Sequence, residues 1–392
     1  MPNVEDISKW AVIACDQFTS QPEYWEKVEN FVGNSPSACN LILPEAFLKE
    51  DNTQKILQIN SAMNEYLEKN FFTEYKNSYV YLERTLLDGS IRKGLVGVID
   101  LEEYDYNLDS TSKIRATEET VKERIPPRKK IRENAEIELS HVILLCDDER
   151  RDLIEPLRLS RHSMKKLYDF NLMLGGGKIQ GWLVRGEQSR ALSMRINSYI
   201  KRKSKELSVL FAVGDGNHSL AAAKACYEAG ATSRYAMVEL ENIYDDAVKF
   251  EPIHRLIKNI SVEEVINDIQ DNICVKGRAG EKNSWPVNFY SHDKKGVINI
   301  DKSKGASALI VLQKYLDGSE KNFEIDYIHD IEALKELSGQ ENCLGFEMPP
   351  FDENAKKDFF KVISKSGTMP RKTFSMGHAQ EKRYYLEARR IK

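Results

Sequence analysis

Residues Ser208–Gly230, SVLFAVGDGNHSLAAAKACYEAG, decide how the rest of the chain is read. Ser208–Val213 has the length and branching of a buried strand. Leu220–Ala229 is rich in alanine and predicts a helix, closed by Gly230 where a left-handed residue ends one. Between them Gly214 and Gly216 let the backbone turn sharply, and Asp215 or Asn217 is suited to cap the first amides. A helix that opens this way points free N–H groups and the positive end of its dipole at whatever lies over the turn, and phosphate is the usual guest. Many such corners in α/β proteins bind nothing, and the glycine spacing matches a dinucleotide fingerprint only loosely. What favours a ligand site is the gathering of Asp215, Asn217, His218 and Ser219 in one turn.

Around this corner the chain has 392 residues, 41% hydrophobic and 30% charged, enough for one large core or two moderate ones. A net charge of −4 argues against a general nucleic-acid binder. The six cysteines include no CxxC pair, so neither a disulfide framework nor a thiolate zinc site is expected, and a cytoplasmic location fits. No stretch is long and apolar enough to read as a membrane anchor.

Ile114–Arg132, IRATEETVKERIPPRKKIR, is the second informative stretch. Arg115, Lys122, Arg124, Arg128, Lys129, Lys130 and Arg132 form a basic cluster in an otherwise acidic protein, and arginine forks match phosphate oxygens. The reading expects Pro126–Pro127 to stop any helix and stiffen the loop that carries Arg128. The alternative is a plain solvated surface. Glu118 differs in kind, because a carboxylate among cations stays ionised and can accept a proton from a hydroxyl.

Elsewhere Trp10–Cys15 (WAVIAC), Ser78–Leu86, Gly94–Asp100, His141–Cys146 and Ile179–Val184 read as strands, and Ala46–Asn70, Glu155–Tyr168 and Ser189–Lys205 as helices. Asp16–Trp25 reads as a plain connection rather than a substrate contact, and Gly175–Gly177 as a hairpin turn. Tyr235–Leu240 is expected to complete a strand–helix–strand unit with the central corner. Phe250–Leu256 (FEPIHRL) pairs His254 with Arg255, and Met369–Gly377 (MPRKTFSMG) offers Arg371 and Lys372; each is either an anion contact or an ordinary loop.

The stretches WAVIACDQFTSQPEYW, IRATEETVKERIPPRKKIRENA, GDGNHSLAAAK, FEPIHR, DYIH and MPRKTFSMG resemble the successive signatures of a bacterial domain-of-unknown-function family, DUF1015, over nearly the whole chain. That family is similar in its central part to the ParB/sulfiredoxin superfamily, which includes free-serine kinases. The resemblance implies an α/β (α+β) fold, with a ParB/sulfiredoxin-like core inside a larger elaborated chain. The expected parts are an N-terminal α/β part over 1–110, the core with its phosphate-binding turn over 111–260, and a C-terminal α/β part over 261–392.

Position by position, Asp215 and His218 match the acid and second histidine of the superfamily turn, with Gly216 between. Asn217 replaces the first histidine, and Ser219 stands where many relatives have arginine, so Arg115, Arg128 or Arg255 must supply that charge. Relatives use an earlier glutamate as general base, for which Glu118 is the candidate by chain order and local charge. The leading expectation is a kinase forming O-phosphoserine from free L-serine, with Mg²⁺ at Asp215 and either pyrophosphate or ATP/ADP as donor. Glu118, Asp215 and His218 would be catalytic. Arg115, Lys122, Arg124, Arg128, Gly216, Asn217, Ser219, His254, Arg255, Arg371 and Lys372 would hold phosphate. The rival is a ParB-like nucleotide-binding regulatory module. A sulfiredoxin-like redox enzyme is disfavoured, because no cysteine lies in the turn.

Overall fold

In the computed structural model, which describes every residue except 20, 49–50, 277–280, 320, 322, 351–352 and 371, the fold is mixed α/β. The chain opens with α1 (Ile7–Trp10), β1 (Val12–Ile13), α2 (Pro22–Val32) and α3 (Thr53–Glu68). A hairpin of β2 (Tyr79–Thr85) and β3 (Ile91–Asp100) is followed by β4 (Tyr104–Asp105), β5 (Ile114–Ala116), α4 (Ile125–Arg132), β6 (Ile137–Leu139) and β7 (Ile143–Cys146). Next come α5 (Glu155–Ser160), the hairpin β8 (Lys165–Asn171) and β9 (Lys178–Val184), α6 (Glu187–Lys203), β10 (Phe211–Asp215), α7 (Asn217–Glu228) and β11 (Tyr235–Asn242).

Among the described residues, nine of these strands form one mixed sheet in the order β4-β5-β10-β7-β11-β3-β2-β9-β8. Alternation divides it into two buried faces. Leu82, Val96 and Met237 pack with Trp10, Trp25, Ile59 and Tyr384 on one side, while Tyr81, Leu95, Val238 and Leu240 pack with Leu192 and Tyr199 on the other.

The second stretch of chain forms β12 (Phe250–Pro252), β13 (His254–Lys258), α8 (Val262–Ile273), β14 (Ser284–Ser291), β15 (Lys295–Asp301), α9 (Ala308–Asp317), β16 (Glu324–Ile328), α10 (Ile331–Ser338), β17 (Leu344–Glu347), α11 (Glu353–Ser366) and β18 (Phe374–Met376). Its antiparallel sheet runs β15-β14-β17-β13-β16. Ile257, Leu344 and Phe346 pack with Val265, Ile269 and Leu312, and Leu256 with Leu334. Finally β19 (Tyr384–Tyr385) pairs with β1, and β20 (Ala388–Arg390) with β6.

The chain divides into two units, 1–249 with 377–392, and 250–376. The second is an insertion: the chain leaves the first unit after Lys249 and re-enters at Gly377, whose amide donates to the Lys249 carbonyl at 3.1 Å. This division differs from the one expected at residues 110 and 260, because the nine-stranded sheet draws strands from both sides of residue 110.

Two local expectations are corrected. The helix expected over Glu155–Tyr168 ends at Ser160, where the Ser160 and Ser163 hydroxyls donate to the Leu157 and Ser160 carbonyls at 3.3 and 2.8 Å; Lys165–Asn171 pairs with β9 instead. The double proline does not stop a helix but opens α4, since a first turn has no use for the missing N–H groups. The strand–helix–strand unit β10–α7–β11 forms as expected, with β7 between its strands, antiparallel to β10 and parallel to β11.

Candidate functional site at the opening of α7

Strand β10 pairs in parallel with β5 through Phe211–Ile114, Ala212–Arg115 and Val213–Ala116, and its register to β7 shifts between Val213 and Asp215. Gly216 then takes a left-handed conformation, φ 83°, as the residue before α7. Only glycine fits, since a Cβ there would lie 3.1 Å from the Val142 Cα. The expected cap is absent: Asp215 Oδ1 accepts from the Gly216 amide at 2.9 Å, and no side chain caps the helix. The amides at the start of α7 therefore face the turn.

The other carboxylate oxygen, Asp215 Oδ2, is buried without a hydrogen bond, 3.4 Å from Lys382 Nζ. Asn217 Oδ1 is likewise buried without a partner. His218 Nε2 accepts from the Val121 amide at 3.2 Å, and the Thr117 hydroxyl donates to the Val213 carbonyl at 2.6 Å. These two bonds stitch the half-buried Glu118 segment to the turn. Glu118 lies two residues past Ala116, and Asp215 two past Val213, so both carboxylates leave the same end of the paired strands. Ligands of α/β sheets collect at such carboxyl ends.

The basic stretch is less available than its composition suggests. Arg115 is buried on β5, where its guanidinium donates to the Ser112 carbonyl at 2.7 Å and the Ser208 hydroxyl at 3.1 Å, and burial lowers its pKa. Arg128 is paired with Glu45 and donates to the Arg124 carbonyl at 2.8 Å. Lys122 and Arg124 are exposed on a 3-10 turn just before α4.

Four other expected residues fall within 250–376, three of them described. His254 Nδ1 accepts from the Met348 amide at 3.1 Å, and burial lowers its pKa. Arg255 is buried, donates to Gln313 Oε1 at 2.7 Å and the Ile253 carbonyl at 2.6 Å, and lies over the Tyr327 ring. These contacts make both parts of the framework of that unit. Lys372 has a left-handed backbone, φ 58°, and Arg371 lies outside the described residues.

Sequence reasoning missed three neighbours of the turn, Asp16, His141 and Lys382. Asp16 follows the first buried strand, with its Oδ2 3.7 Å from His141 Nε2. Burial pushes the Asp16 carboxyl up, but His141, Gln17 and Lys382 together outweigh it and hold the pKa below the ordinary value. His141 Nδ1 lies 2.8 Å from the Tyr385 hydroxyl, which contacts Cys15 Sγ at 2.9 Å. Burial pushes the Cys15 thiol up to about 12, and that of Cys226 on α7 is raised as well, so neither is an activated nucleophile.

On the same sheet, Asp215 is in register with Ile143 of β7, and Ile143 with Glu239 of β11. Glu239 and Glu241 are fully buried, Glu239 paired with Arg383 and Glu241 with Arg92 at 2.9 Å. Two acids at alternate positions of the apolar run YAMVELEN were a readable signal of buried charge. Lys382 and His141 had no local signal, because only the tertiary fold brings them to the turn.

Among the described residues no group of three or more His, Cys, Asp or Glu side chains is gathered closely enough to hold a metal ion. No helix among them is long and apolar enough to cross a membrane.

The solved structures that match this chain are distant. They include SbnI with C-terminal truncation from Staphylococcus aureus, at 9% identity over 71% of this chain and 81% of that one, TM-score 0.38. A free serine kinase in complex with AMP shares 13% identity over 76% of this chain and 91% of that one, TM-score 0.37. A conserved hypothetical protein from Pyrococcus furiosus shares 13% over 74% and 93%, TM-score 0.36. Comparison with curated proteins gives no match. The family model described as "Protein of unknown function (DUF1015)" matches residues 2–390, and the chain belongs to that family.

Proposed function

We propose that this protein is a phosphotransferase that moves a phosphoryl group from ATP, ADP or pyrophosphate onto the hydroxyl of free L-serine, giving O-phospho-L-serine. One observation carries the reading: Glu118 and Asp215 leave the same end of two parallel strands, over the opening of a helix whose first amides have no side-chain cap. An acid–base group beside an anion cradle is what phosphoryl transfer needs, since that chemistry is mostly positioning and charge neutralisation.

In this reading Glu118 takes the proton of the serine hydroxyl while the hydroxyl oxygen attacks the terminal phosphorus of the donor. The bond from that phosphorus to its bridging oxygen breaks, and the departing nucleotide or phosphate keeps the electron pair. The backbone around Gly216, Asn217 and Ser219 faces the donor phosphates, and His218 holds the Glu118 segment against them. The turn acts as a ParB/sulfiredoxin-like phosphate turn, and Lys122 and Arg124 are the exposed cations of the basic stretch. The buried oxygen Asp215 Oδ2, without a hydrogen bond, suits Mg²⁺, which is commonly bound by one or two carboxylates together with substrate phosphates. When bound, Mg²⁺ supplies neutralisation of charge on the transferring group.

Phosphorus NMR of the protein with L-serine and Mg²⁺, offered ATP, ADP and pyrophosphate in separate samples, tests the reading. O-phosphoserine should form in at least one sample, and Asp215→Asn and Glu118→Gln should each slow it by about a hundredfold or more. No product with any donor overturns the kinase reading; retained nucleotide binding in that case favours the regulatory module.

A further inference from the structure

Two of the arginines expected to bring positive charge to this turn are committed elsewhere. Arg115 is held by Ser112 and Ser208, and Arg128 by Glu45. The structure instead brings a cation from the far end of the chain. Lys382 lies just after a 3-10 turn (Ala379–Glu381), its side chain is more than nine-tenths buried, and its ammonium stands 3.4 Å from Asp215 Oδ2. The same ammonium acts electrostatically on Asp16. Lys382 therefore serves two acids that reach the turn from different elements.

The backbone that presents Lys382 is fixed on both sides. Before it, the buried guanidinium of Arg84 donates to the carbonyls of Gln380 at 2.5 Å, Glu381 at 2.9 Å and Lys382 itself, and to Gly176 at 2.9 Å. After it, Arg383 is locked by Glu239, by Glu387 at 2.7 Å and by the Ser140 carbonyl at 2.8 Å. A long, entropically expensive side chain is thus pre-ordered at the mouth of a helix whose first amides have no side-chain cap.

Lys382 and Asp215 form an ion pair at 3.4 Å that leaves Asp215 Oδ2 without a hydrogen bond. Asp16 and Asp215 keep a quarter and a sixth of their side-chain surface open, so the cluster is reachable. Two carboxylates against one ammonium repel a bare polyphosphate, which makes the metal complex of a di- or triphosphate the fitting ligand class.

We propose that Lys382 is the phosphate-facing cation of this site, and that Arg84 is a positioning residue acting through it. The proposal rests on the phosphotransferase reading for the nature of its ligand. Lys382 donates to a non-bridging phosphate oxygen.

Isothermal titration calorimetry with magnesium pyrophosphate, MgADP and MgATP, on wild type, Lys382→Met, Lys382→Arg, Arg84→Lys and the Arg84→Lys/Lys382→Met double variant, tests it. Lys382→Met should weaken binding by about tenfold or more, the loss of one charge-assisted hydrogen bond. Lys382→Arg should stay within a few-fold of wild type. Arg84→Lys should weaken binding, and the double variant should bind no worse than Lys382→Met alone, the non-additivity expected if one residue acts through the other. Lys382→Gln is read in the same way if the methionine variant does not fold.

Wild-type affinity in Lys382→Met overturns the assignment, and multiplicative losses in the double variant overturn the role of Arg84. Binding by wild type without serine turnover removes the kinase reading and leaves Lys382 in place. Serine phosphorylation by Lys382→Met at wild-type affinity and rate does the reverse. No binding of any of the three ligands by wild type overturns both.

Discussion

Glu241 joins residue chemistry to a measurable property of the whole protein. Burial pushes its carboxyl up to about 8; Arg92 of β3 opposes the rise, while Glu239 on the same strand and Asp245 reinforce it. From the ordinary glutamate value to about 8 the native protein holds a proton that the unfolded chain has released. Its contribution is present in full at low pH and is lost as pH rises through that window, by up to about 1.4 kcal/mol per pH unit. Urea unfolding at pH 5, 6, 7 and 8 should show Glu241→Gln with a shallower fall in stability than wild type; parallel curves would contradict this. Parts of this chemistry were legible from single residues. Gly214 and Gly216 announced a sharp turn, and Asp215, Asn217, His218 and Ser219 announced a polar corner. Asp16 was visible but read as a connection, because nothing local tells a strand-end acid that faces His141 from one that faces water.

At the scale of elements, the site depends on how closely α4 and α7 approach. Ile125 packs against Ala221 and Ala222, small residues that let the helix carrying Arg128 lie near the helix opened by Gly216. Ala221 is fully buried, so Ala221→Leu should overpack the contact and cost about 1–3 kcal/mol, read as a lower urea midpoint. An unchanged midpoint would mean that the helices can separate at no cost. The run of alanines was legible as helix, but its tight-packing role was not, because composition does not say which helix arrives. The prolines at 126 and 127 misled for a related reason. They break a helix from within and start one from its first turn, and only the partner helix fixes which applies.

For the whole molecule, the insertion matters most. Lys249 and Gly377 are joined by a backbone hydrogen bond, so the first unit already brings the two cut ends together. Replacing residues 250–376 by a short glycine linker should leave that unit folded and cooperative in thermal melting monitored by circular dichroism; a non-cooperative or absent transition would show that it depends on the insert. The boundary was illegible because no Gly- or Pro-rich stretch marks it: β12 and β18 enter and leave as a two-stranded ribbon. The return of the chain also sets an order of completion during synthesis. Glu118, Asp215 and the α7 amides are all made before the insert, whereas Lys382 and the strand that pairs with β1 are made after it. A nascent or prematurely ended chain thus carries the carboxylates without their ammonium, and the site gains its buried cation only in molecules whose translation has run past residue 382.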